Sequence, residues 1–110
     1  MAIVYVSIVS DRYLRLTRIS LQNSLRVPVT MSIRLDASQL DSFQMNPNSQ
    51  REQLLKIDRI GELEIDYTLP DGSTLTCSEY YVNDYPGRHL RSILREVKGR
   101  IECSLYTIMN

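Results

Sequence analysis

The chain has 110 residues, 43% hydrophobic and 24% charged, which is the composition of one ordinary globular domain spanning residues 1–110 and excludes a largely disordered chain. Thirteen acids balance thirteen Lys and Arg, so no overall excess of charge marks the chain as a polyanion binder. No apolar run reaches the roughly 20 residues a helix needs to cross a bilayer, and the opening MAIVYVSIV lacks the basic start and small-residue cleavage site of a leader; a cytoplasmic protein with no membrane partner is expected.

Residues 3–9 are almost continuously apolar, the pattern of a strand buried on both faces. Residues 13–21 mix Leu14, Leu16, Ile19 and Leu21 with arginines, and their β-branched content favours a second strand. Gln22, Asn23 and Ser24 read as a turn, joining that strand in a hairpin to residues 25–35. There Leu25, Val27, Val29, Met31, Ile33 and Leu35 alternate with mostly polar neighbours, so one face is buried and the other wet. Pro28 has no N–H for the ladder and marks this as an edge strand. An edge that long is suited to pairing with a second copy, which makes Arg26, Pro28, Thr30 and Arg34 the candidate interface.

Residues 36–45 carry a cap at Asp36 or Ser38 and place Leu40 and Phe43 at helical spacing, predicting a short helix. Asn46, Pro47 and Asn48 break the chain. Ser49 and Glu52 then form a capping-box pattern ahead of a second short helix over 50–56. Strict alternation returns over 62–69, with Gly61 suggesting a bulge at its start. Pro70, Asp71 and Gly72 form a strong turn, and residues 73–82 return as the second strand of a hairpin. Leu90, Ile93, Leu94 and Val97 recur at i, i+3, i+4 and i+7, predicting an amphipathic helix over 86–98, begun by Pro86 and ended by Gly99. Residues 101–109 form a last strand. The expected fold is α+β: a mostly antiparallel sheet of five to six strands with one amphipathic C-terminal helix packed on one face.

The lone histidine, His89, rules out multi-histidine metal sites, and Cys77 and Cys103 lack zinc-ligand spacing; no metal and no cofactor is expected. A disulfide between the two cysteines requires neighbouring strands, and in a reducing compartment buried free thiols are the expectation. Glu62, Glu64 and Asp66 share one strand face and could hold a cation through waters. A wet face whose acids oppose Arg26 and Arg34 is the more ordinary reading. No glycine-rich or nucleophile motif occurs, so no enzyme is expected, although a Ser–His–Asp arrangement need not show in sequence.

The charge map is uneven. Residues 1–35 hold Arg12, Arg15, Arg18, Arg26 and Arg34 against Asp11, residues 36–84 are acidic, and residues 85–110 are basic. Basic ends and an acidic middle can pair within the fold. Two functions are therefore carried forward. The first is a small interaction or regulatory protein that works through protein contacts as a homodimer. The second is nucleic-acid or anion binding by Arg88, Arg91, Arg95 and Lys98 along the predicted helix, with Tyr85 (and Tyr80 and Tyr81) nearby to stack on bases.

Overall fold

A computed structural model describes residues 17–57, 61–81 and 89–108. Among them there are eight strands and no helix: β1 Thr17–Asn23, β2 Val29–Leu35, β3 Ser38–Met45, β4 Ser49–Leu55, β5 Gly61–Thr68, β6 Thr74–Tyr81, β7 His89–Val97 and β8 Arg100–Thr107. They form two four-stranded sheets, β4-β1-β7-β8 (sheet A) and β3-β2-β5-β6 (sheet B). Buried residues of both sheets, among them Ile19, Leu21, Leu90 and Leu94 from sheet A and Met31, Ile33, Leu63 and Ile65 from sheet B, make one core. The molecule is a β-sandwich, so the expected α+β class is corrected to all-β.

The alternation over 25–35 and 62–69 is realised directly. β2 and β5 bury every second residue and pair antiparallel, and the hairpin of β5 with β6 forms as expected. At its turn Gly72 has φ of 91° and Asp71 Oδ1 accepts from the Ser73 amide at 2.9 Å, the Asx arrangement such a turn favours.

Three expected helices are strands. Residues 38–45 and 49–55 become β3 and β4, each at a sheet edge. An edge strand is half exposed, and its broken burial pattern imitates helical spacing. The third, expected over 86–98, is strand β7 from His89 to Val97, which pairs parallel with β1 and antiparallel with β8; its expected start at Pro86 lies outside the described residues. Leu90 and Leu94 are completely buried, but a spacing of four lies on one face of a strand as well as of a helix. Buried Ser92 between them belongs to the period of two. Gly99 terminates no helix: with Lys98 it makes a two-residue β7–β8 turn, both residues at positive φ, as hairpin geometry demands.

The hairpin expected between residues 13–21 and 25–35 does not form. β1 and β2 lie in different sheets, and the chain crosses the sandwich between them. Asn23 holds that crossing: its Nδ2 donates to the carbonyls of Val27 (2.9 Å) and Asn46 (3.0 Å), and its Oδ1 accepts from the Leu25 amide (3.0 Å). A fully buried amide is thereby satisfied. The edge assignment for 25–35 is also corrected, because β2 lies between β3 and β5. Pro28 precedes the strand and costs the ladder nothing. The expected strand at 3–9 and the first part of that at 13–21 lie outside the described residues.

The bulge expected at Gly61 is absent, since β5 runs in unbroken register with β6 from the Gly61–Tyr81 pair onward. The irregularity falls instead between Ile33 and Arg34, opposite β3. Gly61 has another reason to be glycine: a Cβ there would overlap the Asp36 carboxylate. Asp36, at positive φ in the β2–β3 turn, accepts from the Glu62 amide through Oδ1 at 3.0 Å. Its own amide donates to the Glu62 carbonyl at 3.1 Å.

The two open sides of the sandwich are closed differently. On one, Cys77 of β6 and Cys103 of β8 are joined in a disulfide with Cα atoms 5.9 Å apart, correcting the expectation of free thiols. On the other, the Arg51 guanidinium of β4 lies 3.9 Å from the centre of the Phe43 ring of β3, a cation–π contact across the sheet edges.

Candidate functional site

Strand alternation sends one set of side chains into the core and the other outward, so each sheet presents one outer face. The strands of sheet A carry Arg18, Arg51, Arg91, Arg95 and Arg100 against Glu52, Glu96 and Glu102. Those of sheet B carry a single base, Arg34, against Asp41, Glu62, Glu64, Asp66 and Glu79. Bases thus outnumber acids on the strands of sheet A and acids outnumber bases on those of sheet B, although β2 of the basic first segment lies in sheet B and β4 of the acidic middle lies in sheet A.

Sheet B meets its charge internally where it can. Arg34 Nε donates to Asp66 Oδ2 at 2.7 Å and Nη2 reaches Asp66 Oδ1 at 3.1 Å and Glu64 Oε2 at 3.4 Å. Desolvation opposes ionisation of Asp66, but the bonds from Arg34 and from the Thr76 hydroxyl hold its carboxyl below the usual range. The acids of β5 therefore form a wet face opposite Arg34. Among the described residues, no cluster of three or more metal-ligating side chains is arranged to hold an ion.

The outer face of sheet A has a shallow groove of about 500 Å³ lined by Ser20, Gln22, Gln50, Glu52, His89 and Arg91. Three strands build it, because the antiparallel register sets Ser20 opposite Glu52 and the parallel register sets Ser20 opposite Arg91 and Arg18 opposite His89. The Ser20 hydroxyl and His89 Nε2 hydrogen-bond at 2.7 Å, and Ser20 also lies 3.5 Å from Glu52 Oε1. Partial desolvation and then the Arg18 cation push the His89 pKa down, against the pull of Glu52. The imidazolium is accordingly disfavoured beside two arginines.

A serine bonded to an imidazole resembles a nucleophile with its base, but the described residues do not complete such a site. Glu52 approaches the serine, and among the described residues no carboxylate bonds the His89 ring to orient it. Ser20 sits in a strand paired on both sides, where neighbouring amides are engaged in the ladder and not gathered toward an oxyanion. The groove offers guanidinium, imidazole, hydroxyl and amide groups that can hydrogen-bond a carboxylate or another anion, with the Glu52 carboxylate at one side of it.

Of the residues expected to bind nucleic acid or anions, Arg91 and Arg95 are exposed on the outer side of β7, and Arg91 stands opposite exposed Tyr106 of β8. Lys98 is in the β7–β8 turn, away from that row. Arg88 and Tyr85 lie outside the described residues. Of the expected interface residues, Thr30 and Arg34 face outward from the interior strand β2, and Arg26 and Pro28 lie in the crossing before it. No free edge exists there for a second copy to pair with. Sequence reasoning missed Ser20, Gln22, Gln50 and Glu52, which join His89 only through the β1–β7 parallel pairing.

No protein-family model and no curated protein matches the chain. It is similar in structure to a protein from Eubacterium rectale solved by NMR, with a TM-score of 0.57 and 10% sequence identity over 87% of this chain and 91% of that one. That likeness concerns the fold alone.

Proposed function

We propose that the protein is a non-enzymatic interaction module that engages carboxylate-rich protein surfaces through the outer face of sheet A. The observation that carries this reading is the separation of charge between layers. Arg91 and Arg95 point away from the sandwich on β7, whereas Glu62, Glu64 and Asp66 point away on β5 of the other sheet. On sheet A itself Glu102 stands opposite Arg95 and Glu52 shares the groove with Arg91, but the outward bases Arg18, Arg91, Arg95 and Arg100 outnumber these two acids. A sheet face with an excess of bases and a groove suits an acidic surface, and electrostatic complementarity supplies on-rate and specificity.

Fluorescence anisotropy with a labelled poly-glutamate peptide tests this. Binding weakens with added salt, and Arg91→Glu with Arg95→Glu lowers affinity at least about tenfold; equal binding by wild type and variant contradicts it. A single-stranded oligonucleotide run in parallel addresses the nucleic-acid reading, which Tyr106 beside Arg91 favours. Tight binding at physiological salt, lost in the same variant, transfers the function to nucleic acid.

No helix among the described residues is long and apolar enough to cross a membrane. The compartment turns on the cystine. Disulfides persist in oxidising settings and are rare in the cytosol, so the cystine favours an oxidising setting over the cytoplasmic one expected from sequence. Thiol counting on freshly isolated protein separates the two: no thiol in the first case, two in the second.

A further inference from the structure

We infer that the acidic surface recognised by sheet A is sheet B of a second copy of this chain, so that copies stack face to back. This rests on the reading of sheet A as an interaction face and names its partner. Three observations support it. The two faces are complementary in sign while the whole chain is neutral. Glu62 and Asp66 are four residues apart on β5, as Arg91 and Arg95 are on β7; at the rise of a strand each pair spans about 13 Å, so the two rows match in pitch, with Asp66 also bonded to Arg34 of its own sheet. Each face also carries an exposed aromatic, Tyr106 on sheet A and Tyr80 on sheet B, a residue type enriched at protein contacts.

The geometry sets the symmetry. A two-fold dimer buries the same patch on both partners, but here two different patches on opposite sides of the molecule meet. The contact is heterologous, each copy keeps one face free, and assembly continues into a ring or an open stack. The homodimer expected from sequence is replaced by this arrangement.

Two charge-reversal variants test it. Arg91→Glu with Arg95→Glu makes both faces acidic, and Glu62→Arg with Glu64→Arg makes both basic. In sedimentation velocity from micromolar to millimolar at low salt, the wild type grows beyond a dimer. Each variant alone stays monomeric, and an equimolar mixture assembles again. The mixture also controls for folding, since an unfolded variant cannot restore assembly. A monomeric wild type, a dimer that grows no further, a self-associating variant or a silent mixture each overturns the inference. If the wild type is monomeric but still binds poly-glutamate through Arg91 and Arg95, only the choice of partner fails; if it does neither, the reading of sheet A fails as well.

Discussion

The hydroxyls of Tyr67 and Ser92 meet at 2.5 Å in the middle of the sandwich, joining β5 of one sheet to β7 of the other. Both residues are completely buried, so the bond is a polar pin inside an apolar core. Burial pushes the Tyr67 pKa up to about 12, against the smaller pull of its bond to Ser92.

Removing the pin by Tyr67→Phe leaves the Ser92 hydroxyl buried without its partner, and the expected loss is about 1–3 kcal/mol, measured by urea unfolding at neutral pH. The pH dependence has a definite sign. The folded pKa lies above the ordinary value of 10, so this contribution is fully present below pH 10 and is lost as pH rises through about 12. The loss is on the order of 2–3 kcal/mol. In Tyr67→Phe the wild-type excess loss over that interval disappears.

The disulfide closes a loop with a sequence separation of 26 between β6 and β8. Cys103→Ser is expected to lower stability by about 3 kcal/mol through the freed entropy of the unfolded chain. The matching measurement is thermal unfolding of wild type with and without reductant, where reduced wild type should fall to the level of the variant.

Gly61→Ala places a methyl group against the Asp36 carboxylate and disturbs its bond to the Glu62 amide. A cost of about 1–3 kcal/mol is expected. Amide exchange should show it first in the β2–β3 turn and the start of β5, while Gly72→Ala, at positive φ in open space, strains only its own turn.

His89 is the one histidine in the chain, so its NMR titration needs no assignment. Its midpoint should fall below 6.5, because desolvation, Arg18 and Arg91 all disfavour the imidazolium. Its contribution to stability is present above pH 6.5 and is lost as pH falls through the lower folded value. Glu52→Gln should lower the midpoint further by removing the one neighbouring group that favours the cation.

What sequence could show was the buried alternation. Residues 29–35 and 61–68 declare themselves because every second side chain enters the core. The edges were hidden by the same rule, since β4 buries only Leu55 fully and its Gln, Arg and Glu are good helix formers. The β2–β3 turn uses Asp36 and Ala37 at positive φ, without the Asn-Gly pair that announces such turns, so the chain there gave no hairpin signal. Of the site, Arg91 and Arg95 were visible as a charge cluster. Their neighbours Ser20 and Glu52 were not, because a parallel pairing between strands about seventy residues apart leaves no local trace. The uneven charge map was legible as well, but which layer each segment joins depends on strand order.

The separation of charge between the two layers is tested most directly by titrating poly-glutamate into isotopically labelled protein and following backbone amide shifts. The account predicts salt-sensitive shifts clustered on β1, β4 and β7 around Ser20, His89, Arg91 and Arg95, with β5 unmoved. Shifts centred on Glu62, Glu64 and Asp66, or none on either sheet, would contradict it.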